Sequence, residues 1–128
     1  MKIAIVGSRN LKVDISNFVD RKIITEIITG GARGIDKCAY LFAKKENIPV
    51  KIVSPDYEKF GKMATVLRNK KIVDLCDSLV AIWDGVSRGT KITIKFAMSS
   101  RKPITIFKIK DNLIKKEVYD VNDQIRLF

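Results

Sequence analysis

The chain contains no histidine and only two cysteines in 128 residues. Cys38 and Cys76 stand far apart, each among apolar neighbours, and no metal-ligand spacing includes them. These absences argue against a metal centre and predict two buried thiols in a reducing cytoplasm. No apolar run approaches the roughly 18 residues that a membrane span needs. The start, Met1-Lys2-Ile3-Ala4-Ile5-Val6-Gly7, lacks the length and the small-residue cleavage site of a signal peptide, so a cytoplasmic domain is expected. No Gly-Lys-Ser/Thr closes any glycine-rich loop, and no G-x-G-x-x-G follows the first apolar stretch. A Walker A ATPase site and an ordinary NAD site are both disfavoured for that reason.

Acidic residues are also scarce: 14 Asp and Glu face 25 Lys and Arg, a net charge of +11. Such a balance suits anionic ligands or nucleic acid. The basic residues are nevertheless spread along the whole chain, in pairs such as Lys44-Lys45, Lys70-Lys71 and Lys115-Lys116, as solvated helix faces would carry them. With 46% hydrophobic residues and 8% aromatics, the composition is that of one globular domain long enough to bury a core.

What organises the sequence is Thr29-Gly30-Gly31-Ala32-Arg33-Gly34-Ile35-Asp36. The β-branched stretch over residues 23–28 precedes it, as a strand would. Ile35, Cys38, Ala39, Phe42 and Ala43 follow at helical spacing. A strand, a glycine-rich turn and a helix start are therefore expected. Glycines let a backbone turn sharply and let a ligand approach without meeting a Cβ. The helix start offers unpaired amides and the positive end of a dipole. Arg33 adds a forked cation. Asp36 falls in the first helical turn, where a carboxylate is favoured, and could also accept a ribose hydroxyl.

Taken in order, residues 2–6 read as a buried parallel strand ending in Gly7-Ser8-Arg9. A weak helix is expected over residues 13–19. The helix after the central loop runs to about Glu46, and a third strand covers residues 50–53. Residues 54–62 read as a loop punctuated by Pro55 and Gly61. A helix over residues 62–75 carries Val66, Val73 and Cys76 on its apolar side. Asn69 lies on that same side and needs a hydrogen-bond partner, from a neighbouring loop or a ligand. Residues 78–83 form a fourth strand, followed by Asp84-Gly85-Val86-Ser87-Arg88-Gly89-Thr90. The alternation of Thr90, Ile92, Ile94 and Phe96 with polar residues reads locally as a strand. A parallel fifth strand over residues 104–109 requires a crossover of about a dozen residues, so a helix over 90–100 is expected instead. Beyond Lys110, Val118, Val121, Ile125, Leu127 and Phe128 call for burial, in a hairpin around Asn122-Asp123 or against a second subunit.

Alternating strands and helices predict a three-layer α/β/α Rossmann-like sandwich with a parallel sheet in the order 3-2-1-4-5, a core over residues 2–109 and a C-terminal extension over 110–128. In such sheets ligands bind beyond the carboxyl ends of the strands where the winding reverses, here between strands one and four. The three glycine-rich loops follow strands one, two and four. Their convergence predicts a phosphate-bearing ligand in one crevice.

As a set, Gly7-Ser8-Arg9, Gly30-Gly31-Ala32-Arg33-Gly34-Ile35-Asp36, Gly61-Lys62 with Arg68-Asn69, and Asp84-Gly85-x-Ser87-x-Gly89-Thr90 resemble the SLOG superfamily of Rossmann-like nucleotide-binding domains. The nearest likeness is to its small single-domain YspA/YpsA-related branch. The same superfamily holds the DNA-processing protein DprA, whose Gly-Ala-Arg-Gly-Ile-Asp segment looks very like this one, and the LOG enzymes, which cleave the base from nucleoside monophosphates. The resemblance implies phosphate-holding loops at residues 30–34 and 87–90, and a sugar-side arginine at Arg68. It also exposes two departures. The glutamate that LOG enzymes need three residues after the Gly-Thr pair is here Thr93, and the lysine that usually follows the helix arginine is Asn69. Asp36 or Asp84 would have to supply the missing carboxylate.

Three readings follow: a binding module for a nucleotide or nucleotide-derived phosphate, a LOG-like nucleotide N-glycosidase with a relocated acid, and a DprA-like binder of single-stranded nucleic acid. Aromatics for base stacking are sparse in the glycine loops, which weakens the third. A homodimer is implied only by analogy with LOG and DprA proteins.

Overall fold

The computed structural model describes residues 1–120. Six strands form one sheet in the order β3-β2-β1-β4-β5-β6. They are β1 (Lys2–Gly7), β2 (Glu26–Thr29), β3 (Val50–Ile52), β4 (Ser78–Trp83), β5 (Ile104–Lys110) and β6 (Leu113–Tyr119). The first five run parallel, and β6 pairs antiparallel with β5. The helices are α1 (Ile35–Lys45), the single turn α2 (Tyr57–Phe60), α3 (Ala64–Leu75) and α4 (Arg88–Ser99). The architecture is the expected α/β/α sandwich, with the winding reversing between β1 and β4 and one additional edge strand.

Each face of the sheet has its own core. On one side α3 and α4 bury Ile72, Val73, Ile94 and Ala97 against Ala4, Val6, Leu79, Ala81 and Ile106. On the other, α1 buries Ile35, Ala39, Phe42 and Ala43 against Ile3, Ile5, Ile27, Val80 and Ile82. Full burial on both faces explains why β1 and β4 are continuously apolar. The 90–100 segment is helical, as topology demanded: Thr90, Thr93, Ile94 and Ala97 are its buried positions, at three- and four-residue spacing.

The weak helix expected over residues 13–19 does not form. A single 3₁₀ turn, Ile15–Asn17, stands there, and a second, Arg21–Ile23, occupies the start of the stretch expected to be strand. Asp14 accepts from the Ser16 amide and Asp20 from the Lys22 amide, so each aspartate starts a tight turn. Short polar side chains that bond their own backbone compete with both helix and ladder. The irregular segment still covers the sheet, with the Phe18 ring edge-on to Phe107 at 4.9 Å between centroids.

Other expectations meet a different outcome. The 54–62 loop contains α2, started by Asp56 accepting from the Lys59 amide. Cys38 is only half-buried, whereas Cys76 is buried and its thiol pushed up to about 11 by that burial. The C-terminal hairpin turns at Asp111 and Asn112, whose φ of 51° and 64° suit a two-residue turn. Val118 is 59% exposed rather than buried. The turn expected at Asn122-Asp123, together with Val121, Ile125, Leu127 and Phe128, lies outside the described residues.

Candidate functional site

A cavity of about 390 Å³ opens at the carboxyl ends of β1, β2 and β4. All three glycine-rich loops reach it. Gly7, Ser8 and Arg9 come from the first, Ala32, Arg33 and Asp36 from the second, and Asp84, Ser87, Arg88, Gly89 and Thr90 from the third. Arg68 and Asn69 enter from α3, and they are joined by Thr93, at the position where the resemblance expects a glutamate, and by Asn10, which the sequence reading did not name. A volume of this size lies in the usual range for small-ligand sites.

Several expected residues are not on the wall. Gly30, Gly31, Gly34, Lys62 and Gly85 lie outside the lining. Lys62 sits in an exposed 3₁₀ turn ahead of α3. The glycines of the central loop serve the protein's own packing. A Cβ on Gly34 would overlap the Ser8 carbonyl oxygen and lie 2.6 Å from the Arg9 Cα, and the φ there is +77°. At Gly30 a Cβ would sit 2.7 Å from the Asp36 Oδ2 and 2.9 Å from the Arg68 Nη1. What these two glycines admit is a neighbouring loop and two side chains.

Ser8 locks the first loop to the third. It is buried, its Oγ accepts from the Asp84 amide at 2.9 Å, and its carbonyl accepts from the Ile35 amide at 3.3 Å. Asp84 then holds its own loop. One carboxylate oxygen accepts from the Val86 and Ser87 amides at 2.9 and 2.7 Å, and the other accepts from the Ser87 hydroxyl at 2.7 Å. Burial pushes this carboxyl up, but the bonds from Ser87, Val86 and Ser8 outweigh it and hold the group down at about 2. Asp84 is thus ionised and committed to the loop, a poor proton donor.

Ser87 stands at the N-cap of α4, yet its hydroxyl points back to Asp84 and caps nothing. No acidic residue occupies the first turn of α4. The amides of Arg88, Gly89 and Thr90 have no acceptor among the described residues. A Cβ on Gly89 would meet nothing within 4 Å. Thr93, one turn further on, is 2% exposed and donates its hydroxyl to the Gly89 carbonyl at 3.0 Å. An exposed, uncapped helix start with positive dipole and open amides favours a nearby anion.

At the other end of the cavity, Asp36 and Arg68 approach one another beside Gly30. The Arg68 Nη1 donates to the Gly30 carbonyl at 2.6 Å and its Nε to the Asn69 Oδ1 at 2.8 Å. The partner that Asn69 needed on its apolar helix side is therefore the adjacent guanidinium. Asp36 accepts from the Ala32 amide at 3.1 Å. Burial pushes the Asp36 carboxyl up, against the opposing pull of the Ala32 amide, Arg68, the Thr29 hydroxyl and Arg9. Burial likewise lowers Arg68, countered chiefly by Asp36.

Among the described residues no group of three His, Cys, Asp or Glu side chains is arranged to hold a metal ion. No helix among them is long and apolar enough to cross a membrane. No protein-family model, curated protein or solved structure matches the chain.

Proposed function

We propose that the crevice binds a nucleotide or a nucleotide-derived phosphate, with the anion at the start of α4. The observation that carries this reading is the open α4 terminus: three amides without acceptors, no carboxylate in the first turn, and a glycine with free space beside it. Four guanidinium groups, those of Arg9, Arg33, Arg68 and Arg88, line the same cavity and supply the countercharge. The likeness of these loops to SLOG domains supports the same ligand class.

The reading as a LOG-like N-glycosidase has less to stand on. Thr93 offers a neutral hydroxyl already engaged with Gly89, and Asp84 is held ionised by its own loop. Only Asp36 remains as an acid. A single-stranded nucleic acid finds no aromatic side chain among the described residues that line the crevice, so base stacking has no platform there.

A thermal-shift and calorimetric screen with AMP, CMP, GMP, cyclic nucleotides and ADP-ribose tests the proposal. At least one of them should raise the melting temperature and bind in physiological salt. Failure of the whole panel at millimolar concentration would overturn the reading. Chromatography of the AMP, CMP and GMP mixtures after incubation checks for base release, which would restore the enzyme.

A further inference from the structure

Resting on that reading, we propose that the α1 end of the crevice recognises a sugar hydroxyl through Asp36, so that the ligand is a ribose phosphate and not a deoxyribose phosphate or a bare phosphate. The starting point is an acceptor with capacity to spare. Asp36 is 6% exposed, yet it forms part of the cavity wall. Its Oδ2 accepts from the Ala32 amide at 3.1 Å. The Thr29 hydroxyl also lowers the carboxyl as a hydrogen-bond partner, although its proton is shared with the Ile5 carbonyl at 2.7 Å. Ala32 and Thr29 are thus its partners within the chain, fewer than the roughly four lone-pair sites of a carboxylate. Buried carboxylate oxygens are ordinarily bonded, so an acceptor left open on a cavity wall calls for a donor from outside the chain.

The chemistry of that donor is constrained. A phosphate oxygen would be repelled by the carboxylate, which separates this end of the cavity from the open amides of α4. A hydroxyl is neutral and donates. Next to Asp36, Arg68 has its Nε and Nη1 engaged with Asn69 and Gly30. Its Nη2 donates to no acceptor among the described residues. An acceptor and a donor side by side match two adjacent hydroxyls, one donating to Asp36 and its neighbour accepting from Arg68. Gly30 makes the pairing sterically feasible, because a Cβ there would lie within 3 Å of both side chains: 2.7 Å from the Asp36 Oδ2 and 2.9 Å from the Arg68 Nη1.

Titration calorimetry of the full chain with AMP, 2′-deoxy-AMP and 3′-deoxy-AMP provides the test. The wild-type protein is expected to bind AMP about tenfold or more tightly than at least one deoxy analogue, the scale of one hydrogen bond to a charged acceptor. In Asp36→Asn, whose amide oxygen still accepts from Ala32, that ratio should shrink to about threefold or less. The wild-type ratio decides the matter even if the variant misfolds. AMP bound with a ratio near one overturns the inference and leaves the phosphate reading intact. A discrimination that persists undiminished in a folded Asp36→Asn overturns the assignment to Asp36. If no nucleotide of the whole panel binds at all, the phosphate reading fails and this inference falls with it; if another ribonucleotide binds in place of AMP, the same ratio is read on that nucleotide and its deoxy analogues.

Discussion

Two helices aim their N-termini at the same crevice, and they are built in opposite ways. The start of α1 is the more closed of the two, although it too lacks a side-chain cap. Its Ile35 amide is taken by the Ser8 carbonyl, Gly34 packs against the first loop, and Asp36 puts a buried carboxylate in the first turn. The start of α4 is open, with no side-chain cap, no acid and no neighbour near Gly89. Sequence motifs alone make the α1 end the more conspicuous, since it carries three glycines and an arginine. The geometry reverses that ranking for an anion. At α1 the glycines admit the protein's own loops, whereas at α4 the glycine leaves room for something else.

Matched glycine substitutions break this comparison most forcefully. Gly34→Ala forces a side chain into the left-handed region and into the Ser8 carbonyl, and should destabilise the fold by about 2–4 kcal/mol in urea denaturation. Gly89→Ala meets no neighbour within 4 Å, and in a helix it should stabilise by up to about 1 kcal/mol. Similar losses at both sites would erase the distinction between a packed glycine and an open one.

Ser8→Ala sharpens the role of the seam between first and third loops. It leaves the Asp84 amide without its 2.9 Å acceptor and should cost about 1–3 kcal/mol. The acid limb of stability reads the same loop. Asp84 is held at about 2, against about 4 in an unfolded chain. Its contribution is present above pH 4 and should be lost as pH falls from about 4 towards 2. Asp84→Asn should flatten that part of the pH profile.

The smallest effect has the opposite sign. Burial raises the Asp36 carboxyl, so its charge at neutral pH opposes folding and the cost disappears as the group takes up a proton. Asp36→Asn should therefore raise the melting temperature slightly at pH 7, with the gap closing below about pH 4. A fall in melting temperature at pH 7 would mean that the carboxylate supports the fold, in place of being a stability cost retained for ligand binding.

Much of this molecule is legible in its sequence. The apolar runs of β1 and β4 announce a doubly covered sheet, and the need for a parallel crossover identifies α4 as a helix against its local alternation. The crevice is where the loops were expected to meet. Less legible were features set by competition or by distance. Asp14 and Asp20 stop a helix and shorten β2 through local turns whose strength only the packed chain decides. Asp111-Asn112 is a usable hairpin signal, but it is weaker than an Asn-Gly pair. That Gly30 and Gly34 face other protein atoms, with Lys62 outside the lining, depends on contacts far apart along the chain. The same holds for the Ser87 hydroxyl, which turns from α4 to Asp84 and thereby leaves the terminus open.

The central claim is that an anion sits at the start of α4. Calorimetric titration of AMP into Gly89→Asp and into Lys91→Glu, at physiological salt, tests it most directly. Both substitutions add negative charge to α4, but Lys91 is exposed and not part of the cavity wall. The account predicts that Gly89→Asp weakens binding by at least about thirtyfold, while Lys91→Glu changes it by no more than about threefold. Equal losses in the two variants, or undiminished binding in Gly89→Asp, would contradict it.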